Sequence, residues 1–221
     1  MIEKFVEFCK NNLNLNSVHY TQPYQSLSVC VIDCVYSLNS KYFSTTVPVV
    51  ERYANAYMNG NRFAAGDTLD DLMNNIIAAG GYETFASSVL CNNQKLSGQL
   101  KPQVCYELAR KIKLLDINTV EDFKNFNCVE LLEIVINSVK GIGPAGLNYL
   151  FMLAGDPNRC KPDVHIHQCI IDACGRDVSD AECQTLLTDA ATLLKRDYPY
   201  LTVALLDSII WNKYQIGNRN K

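Results

Sequence analysis

Apolar side chains recur at intervals of three and four residues along most of the chain, which is the spacing of one face of an α-helix. Residues 129–136 and 147–154 show this spacing clearly, and stretches on either side repeat it. Helix-opening residues stand before several of these stretches, namely Pro48, either Asp67 or Thr68, Pro102, Thr119 and Ser179. The pattern therefore predicts an all-α fold of roughly ten helices with no strand.

One segment departs from this spacing. Residues 27–38 are almost continuously apolar and rich in β-branched side chains, so that their composition fits either a strand or a buried helix. No nearby segment offers a second strand for pairing, and we therefore predict a buried helix. Asp33 lies inside the segment, and we expect it to be a hydrogen-bonded structural residue rather than a catalytic one.

A glycine-rich turn separates the two clearest helical stretches. Gly141, Ile142 and Gly143 precede Pro144, which suits the first position of a helix because that position needs no amide hydrogen. The remaining amides at such a helix start have no partner within the helix and can donate to a phosphate oxygen. We predict a helix-hairpin-helix over about residues 129–154, with its turn at the Gly-Ile-Gly sequence.

Downstream of the turn, a segment rich in glycine and proline leads to Pro162 and Asp163, and Asp163 opens the next helical stretch. Gly-Ile-Gly between two helices, followed by such a segment and an aspartate, resembles the helix-hairpin-helix Gly/Pro/Asp superfamily of base-excision DNA glycosylases. Endonuclease III and 3-methyladenine glycosylase II are proteins of that kind. The resemblance implies a hairpin that grips the DNA backbone and, at Asp163, a carboxylate beside the flipped nucleotide. A structural explanation stays open: two glycines that join a helix pair, and an aspartate that caps a helix.

The resemblance also implies a two-lobed helical architecture. It assigns residues 82–160 to a central lobe that carries the hairpin, and residues 1–81 plus 161–221 to a second lobe formed by the two chain ends. Its landmarks are recognisable over residues 82–174, although the chain lacks helices that larger members of the family place between them.

Further candidate residues follow from the same resemblance. Asn93 or Gln94 would be the wedge that enters the duplex, and a helix end with exposed amides explains these residues equally well. His165 and Trp211 are candidates for the base pocket, with a place in the hydrophobic core as the alternative.

The chemistry expected of this motif is base release by hydrolysis. A carboxylate at Asp163 would stabilise the oxocarbenium-like sugar and orient the attacking water. Family members that also cleave the strand carry a lysine where this chain has Ala145, so the resemblance implies a monofunctional enzyme. Lys140 and Lys161 lie on either side of the motif. We expect both to contact phosphate, and a displaced nucleophilic role for one of them stays open.

Composition indicates the class of protein and the state of its cysteines. With 48% hydrophobic and 19% charged residues, the 221-residue chain is typical of a globular protein, and we expect an intracellular monomer without a membrane partner, nucleoid-associated if prokaryotic. Its ten cysteines are expected to be reduced and mostly buried. The closely spaced cysteines that hold an iron–sulfur cluster in some glycosylases resembling endonuclease III are missing, so neither a metal nor another cofactor is expected.

The net charge of −3 is the main argument against DNA binding, because duplex affinity depends on phosphate neutralisation. Between residues 91 and 113, however, five lysines and arginines accompany one glutamate, which fits a basic face that includes Lys95 and Lys101, with ordinary solvated helix faces as the alternative. Two functions are therefore carried forward. The first is a monofunctional glycosylase that removes a damaged or mismatched base flipped from duplex DNA. The second is a catalytically silent helix-hairpin-helix protein that binds DNA or another partner.

Overall fold

The computed structural model describes residues 1–16 and 22–219, and the chain divides into two compact units. The terminal unit comprises Met1–Thr21 and Asp156–Lys221, and the central unit comprises Gln22–Gly155. In chain order the helices are α1 (Ile2–Asn12), α2 (Leu27–Ser37), α3 (Val47–Tyr57), α4 (Leu69–Ala78), α5 (Tyr82–Thr84), α6 (Lys101–Lys113), α7 (Val120–Asn125), α8 (Val129–Asn137), α9 (Pro144–Leu153), α10 (Val164–Cys174), α11 (Asp180–Leu194) and α12 (Val203–Arg219).

The predicted helical character is confirmed, and its end signals lie where the sequence placed them. Thr68, Thr119 and Ser179 each form a capping box with the acidic residue three positions later, which satisfies amides at the starts of α4, α7 and α11. Gly175 ends α10 with a φ of +75°, in the left-handed region that glycine adopts at little cost. Two π-helical turns interrupt the α-helical pattern, Tyr42–Thr46 before α3 and Phe85–Val89 after α5.

The prediction that no strand exists was wrong at one place. β1 (Lys95–Leu96) and β2 (Gln99–Leu100) form a two-stranded antiparallel hairpin, in which Lys95 lies opposite Leu100. Ser97 and Gly98 connect the strands with φ values of +51° and +87°. Positive φ at both central residues is what the commonest two-residue hairpin turn requires.

The central unit is built around α2. Its residues are buried along its whole length, and it packs against α3, α4, α6 and α9. The predicted buried helix is therefore confirmed. Because α2 is apolar on every side, it occupies the core of this unit, and residues 22–81 belong with the hairpin rather than with the chain ends. The resemblance implies that residues 1–81 belong to the other lobe and that the downstream boundary lies at residue 160. The structure differs at both points, because residues 22–81 lie in the central unit and the downstream boundary falls at Gly155.

A buried carboxylate joins α2 to its neighbours. Asp33, which is 1% exposed, accepts hydrogen bonds from the hydroxyl groups of Tyr24 (2.8 Å), Tyr42 (3.0 Å) and Tyr149 (3.0 Å). Tyr149 lies on α9, so these bonds connect the second hairpin helix to the central helix. A buried carboxyl group that accepts three hydrogen bonds connects these elements, which agrees with the hydrogen-bonded structural role expected for Asp33.

The terminal unit has its own hydrophobic core. Helix α1 packs against α10 and α11, and α12 packs against the same two helices. Leucine, isoleucine and cysteine side chains fill the space between them, including Cys9, Cys169, Leu187, Leu206 and Ile210. This arrangement places the start of α10 beside α12.

Candidate functional site

The predicted helix-hairpin-helix turn lies between α8 and α9. Ser138 caps the end of α8, and the Ile142 amide donates to the Val139 carbonyl at 3.0 Å, which closes the turn. The Ile142 side chain is buried in the core of the central unit. Ile142 therefore anchors the turn, while Gly143 carries the exposed backbone that a ligand could approach.

The two glycines of the turn differ in backbone conformation and in the space around them. Gly141 has a φ of +97°, and a Cβ atom added to it would lie 2.9 Å from Leu96 Cγ and 3.0 Å from Ser97 Oγ. Gly143 has a φ of −106°, and a Cβ atom there would meet nothing within 4 Å. Glycine at position 141 thus allows the β-hairpin to pack against the turn, whereas the backbone at Gly143 is open.

The open backbone at Gly143 is also the start of α9. Gly143 is the N-cap, Pro144 follows in the first turn, and no side chain caps the helix. Lys140 is exposed in the same turn. Uncapped amides at a helix start together with an exposed lysine form an arrangement that can bind an anion such as phosphate.

The predicted basic face is smaller than the sequence suggested. Lys101 is 1% exposed, and its ammonium group donates to the carbonyls of Tyr36 (3.1 Å) and Leu38 (2.9 Å), to Ser40 Oγ (2.8 Å) and to Gln94 Oε1 (3.0 Å). A lysine in this position holds loops together and does not face a ligand. Lys95 remains exposed, so the expectation for Lys101 is corrected while that for Lys95 stands.

The two wedge candidates lie in different environments. Gln94 accepts a hydrogen bond from Ser40 Oγ at 2.8 Å in addition to the bond from Lys101, so its side chain is held against the protein. Asn93 is exposed. Of the two residues, Asn93 has the environment that insertion into a duplex would need.

In the terminal unit, Asp163 is the N-cap of α10. Its Oδ1 atom accepts hydrogen bonds from the amides of His165 (2.9 Å) and Ile166 (3.3 Å), and its Oδ2 atom takes part in neither bond. Asp163 is partly exposed, and its own amide donates to the Lys161 carbonyl at 2.7 Å. The carboxylate is therefore held in a defined orientation by the backbone around it.

A second carboxyl group, that of Asp207, lies near Asp163. Asp207 on α12 is 6% exposed, and its Oδ2 atom accepts a hydrogen bond from the Lys161 amide at 2.8 Å. Burial, together with the charge of Asp163, raises the pKa of Asp207 to about 8. Sequence reasoning missed this residue, although an aspartate flanked by Leu206 and Ile209 in an apolar helix stretch was a signal that could have found it.

The two pocket candidates meet in the terminal unit. The rings of His165 and Trp211 lie edge to face, with centroids 6.1 Å apart, and both side chains are partly exposed. Trp211 follows Asp207 by one helical turn. The structure thus brings Asp163, His165, Asp207 and Trp211 together at the meeting of α10 and α12.

The neighbouring His167 faces elsewhere, as the spacing of two residues from His165 predicted. Its Nδ1 lies 2.6 Å from Asp177 Oδ1 and its Nε2 lies 3.1 Å from Asp180 Oδ1. Burial lowers the pKa of His167, but the hydrogen bonds to the two aspartates outweigh burial and the net pKa is raised. His167 links α10 to the start of α11 and is not part of the Asp163 cluster.

A family model described as "Domain of unknown function (DUF8548)" matches residues 3–215, almost the whole chain. The chain belongs to this family. No curated protein and no solved structure matches it.

In this DUF8548 chain, the cysteines are free thiols. All ten lie in the described ranges without a disulfide, and seven of them are buried. Over residues 1–16 and 22–219, no group of three or more histidine, cysteine, aspartate and glutamate side chains is placed to hold a metal ion. None of the helices described in those ranges is both long and apolar enough to cross a membrane.

A cleft of about 420 Å³ lies in the central unit, and its lining contains none of the predicted site residues. Its lining includes Tyr57, Gly66, Asp67, Asp71 and Asn75. Asp67 accepts hydrogen bonds from Ser26 Oγ and from the Tyr53 hydroxyl, each at 3.0 Å, so part of its carboxylate is engaged by the protein. The cleft of the central unit therefore does not lie at the Gly141–Gly143 turn.

Proposed function

We propose that this protein is a monofunctional DNA glycosylase, which hydrolyses the N-glycosidic bond of a damaged or mismatched base flipped out of duplex DNA. The observation that carries the proposal is the Asp163 carboxylate, held through Oδ1 at the start of α10 and partly exposed. It follows a helix-hairpin-helix with an uncapped helix start in the same chain.

DNA docking is assigned to the hairpin turn. The amides at the start of α9, near the open backbone of Gly143, would donate to phosphate oxygens of one strand, and Lys140 would add a positive charge. Lys161 is the second lysine proposed to contact phosphate. These contacts are to the backbone of DNA, so affinity should depend on salt and little on sequence.

Chemistry is assigned to Asp163. Breaking the N-glycosidic bond builds positive charge on the sugar, and a fixed carboxylate stabilises that charge. The two capping bonds use Oδ1, which leaves Oδ2 as the atom proposed to face the sugar and the attacking water. His165 and Trp211, whose rings meet edge to face, are proposed to line the base pocket.

Water is the proposed nucleophile because Ala145 stands where bifunctional glycosylases carry a lysine. An enzyme of this kind releases the base and leaves an intact abasic site. Borohydride should therefore trap no covalent protein–DNA adduct. A trapped adduct would reject the monofunctional assignment and would direct attention to Lys140 or Lys161 as the nucleophile.

A second function is supported by the same capping bonds. Hydrogen bonds to the His165 and Ile166 amides give Asp163 a structural role that needs no catalysis. Such a protein would be a catalytically silent helix-hairpin-helix module that binds DNA. The two proposals predict the same affinity for DNA and differ only in base release.

The deciding experiment is a base-release screen against duplexes that carry alkylated, oxidised, deaminated or mismatched bases. Asp163→Asn should lower the rate by ~10²–10³ while folding and DNA affinity are kept, because the amide oxygen can still cap α10 but has no negative charge. Asp189→Asn is the matched control, since it makes the same charge change at an exposed position of α11 in the same unit. Equal rates for Asp163→Asn and wild type would reject Asp163 as the catalytic residue.

A further inference from the structure

The segment that carries Asp163 is tied to α12 by one side chain. Asp207 lies among the buried residues Leu206, Ile209 and Ile210, where a carboxyl group has few partners and pays a desolvation penalty. Its Oδ2 atom accepts the Lys161 amide at 2.8 Å. Because an unpaired polar group is costly at such a buried position, this hydrogen bond stabilises the contact between α12 and the Lys161 backbone.

The Lys161 peptide unit extends this connection to Asp163. The Asp163 amide donates to the Lys161 carbonyl at 2.7 Å, across a three-residue turn centred on the buried Pro162. Proline suits the centre of such a turn because its ring fixes φ near the required value. Two consecutive hydrogen bonds therefore lead from Asp207 through Lys161 to the backbone of Asp163.

We infer that Asp207 is a positioning residue for Asp163: by holding the Lys161 amide, its carboxyl group fixes the turn that aims the Asp163 side chain. The functional part of this inference rests on the proposed function, in which Asp163 is the catalytic carboxylate. The structural part, that Asp207 sets the orientation of Asp163, stands independently of any activity.

The hydrogen bond between Asp207 and the Lys161 amide should depend on pH, because Asp207 titrates. The charged and titratable groups that face it are Asp163, Lys161 and Cys160. Burial and the Asp163 charge keep Asp207 protonated at neutral pH, while the Lys161 amide and the Lys161 charge favour the ionised form. Above its pKa of about 8, Asp207 places a second negative charge next to Asp163.

The test compares two substitutions by amide NMR and by base release. Asp207→Asn keeps an oxygen for the Lys161 amide, so the amide resonances of His165 and Ile166 should stay in place and the rate at pH 7 should stay near wild type. Asp207→Ala removes the acceptor, so both resonances should move. Base release should then fall about 10- to 100-fold with DNA affinity unchanged, because small displacements of a reacting group are costly.

The pH profile separates positioning from mere packing. In the wild type, the Lys161 amide resonance should titrate near pH 8, and Asp207→Asn should abolish that titration. This measurement tests the contact between Asp207 and the Lys161 amide even if Asp207→Ala fails to fold. Unmoved His165 and Ile166 amides in folded Asp207→Ala, or a Lys161 amide that does not titrate in wild type, would overturn the inference. If the amides behave as expected but no base is released from any duplex, the proposed glycosylase activity fails and the positioning role stands.

Discussion

A single added methyl group at Gly141 tests the packing of the β-hairpin against the turn between α8 and α9. Gly141→Ala would place a side chain at a φ of +97°, which costs about 1–3 kcal/mol for residues other than glycine. The new Cβ atom would also lie 2.9 Å from Leu96 Cγ, and relieving such overpacking costs about 1–3 kcal/mol more. Because Leu96 can move part of the way, we expect a total loss of about 2–4 kcal/mol in the free energy of unfolding.

Gly143→Ala is the matched control for this experiment. It adds the same methyl group two residues away, where φ is −106° and the space is open. The only expected cost is a poorer N-cap, about 0.5–1 kcal/mol. Urea unfolding of the full chain, followed by far-UV circular dichroism, measures both variants. A loss of about 3 kcal/mol corresponds to a fall of roughly 10 °C in Tm for a unit of this size.

The comparison has a clear negative outcome. If the two alanine variants unfold at the same urea concentration with the same slope, the contact between the β-hairpin and the turn does not constrain the turn. A duplex-binding titration at low salt adds a second readout. Gly141→Ala should weaken binding because it displaces the turn, and a Gly141→Ala protein that binds DNA as tightly as wild type would reject the turn as the docking element.

Two further substitutions test other parts of the fold. Lys101→Met should destabilise the protein by about 1–3 kcal/mol in chemical denaturation, because it leaves buried oxygen atoms without the donor that they share. Lys95→Met, at an exposed position, should be close to neutral, and equal effects of the two substitutions would contradict the buried role of Lys101. His167→Gln should lose stability mainly at acidic pH. Because the pKa of His167 is raised in the folded protein, its charged ring stabilises the fold fully below the unfolded pKa of about 6.5. This stabilisation is lost as the pH rises through the folded pKa. Asp177 and Asp180 are partly exposed, so the effect should be small, and a difference from wild type that does not change between pH 5.5 and 9 would contradict it.

The helices were predictable because their signals are local. Apolar spacing, the capping boxes at Thr68, Thr119 and Ser179, and the Gly-Ile-Gly turn each depend on a few adjacent residues. The burial of residues 27–38 was also predictable, because a continuous apolar run has no polar face to turn to solvent. The short β-hairpin was missed since each strand has two residues, although the Ser97–Gly98 pair between Leu96 and Leu100 was a turn signal.

The candidate site was predicted only in part, and the missing part depends on long-range contacts. Asp163 and its cap follow from local sequence, whereas the contact of Asp207 with Lys161 joins residues 46 positions apart. Lys101 was counted as a surface charge because nothing in its neighbourhood indicates that Tyr36, Leu38 and Ser40 supply oxygens to it. Charge along the sequence therefore overstated the basic surface that the folded central unit presents.

The division of the chain also has a consequence for its biosynthesis. The central unit is one uninterrupted stretch, Gln22–Gly155, whereas the terminal unit combines both ends of the chain. All of the central unit is made before α10 leaves the ribosome, so it can fold first, while α1 must wait for α10 and α11 to cover its apolar face. Closing that long separation in sequence carries an entropic cost and slows folding of the terminal unit. Until α12 has been made, α10 and α11 lack one of their packing partners, and the apolar surface that they expose at that stage favours aggregation of the nascent chain.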